Sequence, residues 1–172
     1  MANNVPEKLM NFTAYLNGDE RLGTVDAELP SLEALTDTVK GAGIAGELDM
    51  PVRGHYGSMS LKLNWRTLDV PVIRLSSQKV HAIDLWGNQQ IFDPSEGYID
   101  QSVKVSIRGV PKTTELGKFE VGAVTGSANE LEVTYIKIEI GGKRILEIDK
   151  FNFIAFIDGE DVFEVARKNL GL

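Results

Sequence analysis

Ser58–Met59–Ser60–Leu61–Lys62–Leu63–Asn64–Trp65–Arg66 alternates without a break: Met59, Leu61, Leu63 and Trp65 point one way, the polar residues the other. Successive side chains of an extended chain face opposite sides, so this period of two specifies a strand with one buried and one wetted face. Ser102 to Arg108 repeats the pattern, with Val103, Val105 and Ile107 inward and Ser102, Lys104, Ser106 and Arg108 outward. Glu130–Lys150 reads as a hairpin, LEVTYIKIEI and KRILEID around Gly141–Gly142, a pair able to take the positive φ angles of a primed turn. Alternation slips inside the first of these runs. Leu131, Val133 and Tyr135 share one face, then Ile136, Ile138 and Ile140 take the other, which a bulge or burial of both faces accounts for.

Working outward, Phe12–Asn17, Leu22–Leu29 and Lys79–Phe92 are further strand candidates, and Ser31–Lys40 fits helix or strand. Asp69–Val70–Pro71 predicts a short helix capped by Asp69 with proline in its first turn. Asp161 ahead of VFEVARKNLG predicts a short amphipathic helix capped by Asp161, with Lys168 in its last turn and Gly171 beyond. Strands so dominate that the chain is mainly β, two packed antiparallel sheets in a sandwich or barrel with one or two short helices.

The 172 residues make a single domain, 1–172, by length. With no cysteine, disulfide scaffolds, thiolate metal sites and cysteine nucleophiles are excluded. Eighteen basic against 25 acidic residues, a net charge of −7, argue against a protein that grips phosphates with clustered Lys and Arg. MANNVPEKLM lacks the basic and apolar regions of a signal peptide, and the strongly apolar Phe151–Ile157 is far shorter than the ~18–20 residues of a membrane span. The expectation is cytoplasmic synthesis without a membrane anchor.

Two connections are long. Gly41–Gly57, GAGIAGELDMPVRGHYG, carries Ile44, Leu48, Met50 and Val52 among five glycines, so something, such as another chain, is expected to bury it. Thr113–Asn129, glycine-spaced and polar, reads as an ordinary exposed loop or hairpin.

Signs of catalysis are weak. The only histidines are His55 and His81; His81 and Asp84 stand three apart on a strand, hence on opposite faces. Glu147 and Asp149 share a face as a possible acid–base pair, but the sequence offers nothing that raises the pKa of one of them. Gly41, Gly43 and Gly46 fit GxGxxG literally, yet Glu47–Pro51 makes a poor helix and no βαβ unit surrounds them. In Phe151–Ile157, Phe151, Phe153 and Ile157 fall on one strand face and Ile154 and Phe156 on the other, so the run needs cover on both sides. One cover is the core; the other is the C-terminal helix or a neighbouring subunit.

Three blocks resemble the major tail tube proteins of contractile-tailed bacteriophages and phage-tail-like bacteriocins. They are Leu9–Met10–Asn11–Phe12 with Tyr15–Leu16–Asn17–Gly18, then Gly41–Ala42–Gly43–Ile44–Ala45–Gly46, and last Glu147–Ile148–Asp149 through Asn152–Phe153–Ile154 to Asn169–Leu170–Gly171–Leu172. The resemblance implies a tail-tube sandwich whose homohexameric rings join their inner sheets and stack into a tube inside a tail sheath. It also implies baseplate and tail terminator partners, residence in the virion tail after assembly in the host bacterial cytoplasm, no cofactor and no catalysis. An extended arm at about 40–57 would contact neighbouring rings through Gly41, Gly43, Ile44, Gly46, Leu48 and Met50, with Phe153 and Phe156 as further interface candidates.

DNA would pass without specific binding, which suits an acidic bore. Glu130, Glu132 and Glu139 are the acidic lumen candidates, but Lys62 and Lys104, with Arg66 and Arg108, make the clearest polar faces basic. Either the glutamates offset them or those faces do not line the bore. The competing readings are a monomeric β-sandwich ligand-binding module using Trp86 or Tyr98, a small hydrolase using Glu147 or Asp149, and the tube of a related secretion system.

Overall fold

Each of the alternating runs forms a strand in the computed structural model, which describes residues 4–23 and 25–172. In chain order the strands are β1 (Val5–Leu16), β2 (Glu20–Arg21), β3 (Val25–Glu28), β4 (Ala34–Lys40), β5 (Glu47–Tyr56) and β6 (Ser60–Trp65). After the helix α1 (Val70–Arg74) come β7 (His81–Asp93), β8 (Gly97–Glu115), β9 (Ser127–Ile140), β10 (Lys143–Asp149), β11 (Ile154–Ile157) and β12 (Glu160–Asp161), then α2 (Glu164–Leu170). Met1–Asn3 of the N-terminal segment and Thr24 of the Leu22–Leu29 run lie outside the described residues. The mainly β expectation holds: two antiparallel sheets carry the fold, and the segment left open between helix and strand is β4.

The larger sheet runs β12-β11-β10-β9-β8-β7-β1-β2, with β6 also paired to β9 and β3 to β6. Strand β9 organises it. One edge pairs with β8 from Val103↔Ile140 to Glu115↔Ala128, whereas the other edge serves β6 through Ser127–Glu132 and β10 through Tyr135–Ile140. The change of partner falls at the slip in alternation. Gly109 opposes Val133 and Arg108 opposes Tyr135, so Thr134 is an extra residue, a bulge whose hydroxyl donates to the Arg108 carbonyl at 3.2 Å. A side chain at Gly109 would have its Cβ 2.8 Å from the Glu132 carbonyl oxygen, so glycine is what lets the strands close there. The bulge resets the parity, and Leu131, Val133 and Ile136 all enter the core. At the far end Gly141 (φ 57°) and Gly142 (φ 77°) supply the left-handed turn.

Met59, Leu61, Leu63 and Trp65 of the β6 run join Leu16, Ile83, Leu85, Val105, Ile107, Leu131 and Ile148 in one buried cluster. Contributions from both β6 and β7–β8 to a single core require the sheet to curl over on itself. Helix α1 closes one end: the Asp69 carboxylate accepts the Val70 N–H at 2.7 Å, and Val72 and Leu75 are buried. Inside, Asn129 accepts from the Trp65 indole N–H at 2.9 Å and donates to the Val72 carbonyl and the Thr114 hydroxyl. It thereby ties β6, α1 and β8 to β9.

Three expectations are corrected. Asp161 does not cap α2: it pairs in β12, and Phe163 occupies the cap position without a side-chain cap bond. No residue of α2 is buried, since the helix stands off the sheet instead of covering it. Phe151 to Phe153 is a turn, with Phe153 at φ 51°, so Phe151 and Phe153 do not share a strand face with Ile157. The Asp149 carboxylate sets that turn by accepting the Phe151 and Asn152 N–H groups, each at 3.0 Å.

Candidate assembly interface

The Gly41–Gly57 segment is one half of a hairpin that starts earlier, at Ala34. Strands β4 and β5 pair only with each other, in register Lys40↔Glu47, Val39↔Leu48, Thr38↔Asp49 and Asp37↔Met50. Gly41, Gly43 and Gly46 form its tip at φ 153°, 93° and 118°, around Ile44. That geometry disposes of the GxGxxG reading, because no helix follows the glycines.

The register gives the hairpin two unlike faces. Thr36, Thr38, Lys40, Glu47, Asp49 and Pro51 occupy one, where Thr38 donates to Asp49 at 2.8 Å and Lys40 lies 3.5 Å from Glu47. Leu35, Val39, Leu48, Met50 and Val52 occupy the other, interrupted only by Asp37, and are 40–51 % exposed. Among the described residues no strand outside the hairpin pairs with it, and that apolar face stays exposed. Of the interface candidates in the C-terminal block, Phe156 lies on β11 under the Arg144 guanidinium at 3.8 Å, and Phe153 is half-exposed in its turn. They are not part of the hairpin.

The lumen candidates fall on the solvent face of the curled sheet. Lys62 sits opposite Glu130 on β6 and β9, and Lys104 opposite Glu139 on β8 and β9. The bulge keeps Glu130, Glu132, Lys137 and Glu139 on this same outer side. Charges interleave there: Lys112 lies 3.6 Å from Glu130, Lys150 3.9 Å from Glu132, and Lys137 3.4 Å from Glu139. Three cations also lie over rings, Lys104 over Trp86 at 4.2 Å, Arg108 over Tyr135 at 4.7 Å, and Arg144 over Phe156. Trp86, half-exposed, is thus occupied by a cation from its own chain, while the exposed Tyr98 packs edge-on to Phe92 at 5.4 Å.

The Glu147 and Asp149 pair is committed to structure. Glu147 accepts from the Tyr135 hydroxyl at 3.0 Å and from Arg144, while Asp149 holds its turn. Burial, then the bond to Glu147, pushes the Tyr135 hydroxyl up to about 12. His81 is buried with Nε2 3.0 Å from the Ser77 carbonyl, and Asp84 lies on the opposite face of β7. No group of three or more His, Cys, Asp or Glu able to hold a metal ion occurs among the described residues.

Sequence reading missed one surface. The β8–β9 loop is not the polar connection expected, since it exposes Leu116, Phe119, Val121 and Val124. Its base is fixed by Lys118 N–H to Thr125 O and Thr125 N–H to Arg66 O, each 2.8 Å. Lys118–Phe119–Glu120–Val121 alternates, and that was the available signal.

After β12, Arg167 binds the Asp161 carboxylate and also donates to the Phe153 carbonyl at 2.7 Å. The hydrogen bond from Arg167, reinforced by the Phe163 N–H, holds the Asp161 carboxyl below the usual carboxylate range. A carboxyl depressed in the folded state stabilises it fully at neutral pH. That contribution fades as pH falls below the unfolded value of about 4 and is gone below the folded one. Asp161→Asn is therefore expected to lower the melting temperature at pH 7, with a difference that shrinks progressively as the pH falls below about 4, followed by thermal unfolding across the acid range. A pH-independent difference would show that the ionised pair does not contribute.

Residues 6–171 match a family model described as phage tail tube protein FII. The tail tube protein of Escherichia phage P2 is 28 % identical over 175 residues, spanning 98 % of this chain and 99 % of that one. The major tail tube protein of Serratia phage KSP20 is 25 % identical over 160 residues, 92 % of each. Among solved structures, a chain of the PVC extracellular contractile injection system sheath–tube complex in its extended state aligns with a TM-score of 0.52 at 15 % identity. That alignment covers 78 % of this chain and 91 % of the other, a likeness of fold.

Proposed function

The chain belongs to the phage tail tube protein FII family and is a structural tail tube subunit, and from that premise we propose how it builds the tube. Six copies close into a ring, and rings stack head to tail in a heterologous contact that repeats without closing, as a tube requires. The observation that carries this reading is the amphipathic β4–β5 hairpin. A two-stranded hairpin is marginal by itself, and an apolar face of this size left uncovered marks a contact with another copy. Gly41, Gly43 and Gly46 shape the tip, and Ile44, Leu48 and Met50 are the anchors buried against the neighbouring ring. Phe153 and Phe156 extend the contact at the base.

Between Val5 and Thr13 the outer edge of β1 pairs with no strand among the described residues. Joining such edges between copies makes a continuous barrel and removes an edge prone to uncontrolled pairing. The outer sheet face, with Lys62, Lys104, Glu130, Glu132 and Glu139, lines the bore. Its interleaved charges neither hold duplex DNA as a basic bore would nor repel it as an acidic one would. The tail sheath surrounds the tube, with the baseplate and a terminator at its ends, in a virion tail assembled in the host cytoplasm. The subunit performs no catalysis and takes no cofactor.

Negative-stain electron microscopy of the purified chain, with sizing chromatography alongside, is expected to show rings or tubes. Monomers at every concentration and salt condition would overturn the proposal.

A further inference from the structure

The hairpin is joined to the body through a break in its own ladder. Ala34 pairs with Tyr56 and Thr36 with Pro51, so the single residue Leu35 opposes the four residues Val52 to His55. Gly54, inside this bulge, has φ 75°. Six cross-strand pairs hold the hairpin as a unit, five of them on the tip side of the bulge, so bending at residues 52–55 would swing the apolar face as one piece.

That hinge is filled from the C-terminal segment. The Phe163 ring lies against Gly54 so closely that a Cβ on Gly54 would come within 2.6 Å of it. The same ring meets His55 edge-on at a centroid distance of 5.5 Å and Phe153 at 6.1 Å. On either side, Arg53 donates to Glu160 at 2.8 Å and Lys150 donates to the Gly57 carbonyl at 2.7 Å. Phe163 is in turn held where β12 meets α2. Its N–H bonds Asp161 at 3.1 Å, and its carbonyl accepts the Arg167 N–H at 2.8 Å. Arg167 also bonds Asp161 and the Phe153 carbonyl.

We infer that Phe163 is a positioning residue for assembly: its ring wedges the Gly54 bulge and fixes the angle at which the hairpin presents its apolar face. This rests on the hairpin being the contact between copies. It assigns α2 a purpose that core packing does not, since the helix buries no residue and instead supports the Asp161–Arg167 staple behind the wedge. A ring in van der Waals contact restricts a glycine-containing hinge without a covalent tie. Docking then loses less conformational freedom than it would with a swinging arm.

Trypsin reads this directly in the unassembled full-length chain, because Arg53 lies exposed in the hinge while Lys40, exposed at the tip, serves as the internal reference. Phe163→Ala is expected to raise cleavage after Arg53 about tenfold, the scale of a local opening equilibrium, with cleavage after Lys40 and in the body unchanged. Phe163→Leu, which keeps apolar bulk but loses the Cζ end of the ring that faces Gly54, is expected to raise cleavage after Arg53 by less. Gly54→Ala crowds the wedge from the other side and strains the backbone at φ 75°, leaves the C-terminal segment intact, and is expected to accelerate cleavage similarly. The double variant is expected to be no faster than either single one.

Unchanged cleavage in both single variants, or additive effects in the double, would overturn the inference. Should Phe163→Ala fail to fold, Phe163→Leu decides, and cleavage after Arg53 at the wild-type rate in that variant would overturn the inference. Cleavage that rises as expected while tubes still form normally sustains the wedge and removes the reading of the hairpin as the ring contact.

Discussion

Leu48→Asp combined with Met50→Asp is expected to give a folded subunit that builds no tubes. Both side chains lie on the exposed apolar face of β5, and the two strands of the hairpin pair only with each other. In the free chain the new carboxylates are solvated, so circular dichroism and the melting temperature of the body should match wild type. In an assembled contact each substitution removes an apolar side chain worth about 1.5–3 kcal/mol of burial and strands a charge without a partner. Either loss weakens one contact by at least about tenfold, and repetition of the contact from subunit to subunit along a tube multiplies the effect. Sedimentation and electron microscopy read the result. Tubes at wild-type yield would show that this face is not buried on assembly, and a collapsed circular dichroism spectrum would show it to be core.

Asn129→Leu is expected to produce the largest loss of stability of any single change considered. Leucine is close in volume, so the packing cost is small. The change instead removes the acceptor of the buried Trp65 indole N–H and the donor to the Val72 carbonyl and Thr114 hydroxyl. Each buried polar group left without a partner costs about 1–3 kcal/mol, so the total is roughly 3–5 kcal/mol and the melting temperature falls by about 10 °C or more. Adding Trp65→Phe deletes one orphaned donor and is expected to recover part of the loss. Calorimetry of the two single variants and the double gives the coupling. Strict additivity would mean that the indole bond is immaterial.

Side-chain alternation made the strands legible because a strand with one buried face writes its geometry as a period of two. Lys62 and Val105 could be placed inside or outside from neighbours alone. The bulge at Thr134 was legible for the same reason, as a break in parity. Asn129 was not, because its partners are 57 and 64 residues away in Val72 and Trp65 and nothing local marks it as buried. The arm is visible as apolar residues among glycines, but its first strand is legible only as helix or strand. Ala34–Lys40 alternates Leu35, Asp37 and Val39, and the aspartate breaks the apolar count on which a strand reading depends. The loop around Phe119 was misjudged because glycine spacing outweighed the alternation within it. Asp161 was misassigned because a cap and a short strand pairing use the same residue type.

The hairpin has a kinetic consequence. It touches the body through its base, where the Phe163 ring holds its angle, and its apolar face stays bare until it docks. The first subunits must come together with few such contacts yet formed, whereas a subunit joining an existing end meets a surface already built. Growth from an end is then fast and spontaneous initiation slow. Purified subunits should show a lag that preformed fragments abolish, and a concentration below which no polymer persists. A chain built this way can be made in excess and remain dispersed until a seed decides where, and in which direction, it grows.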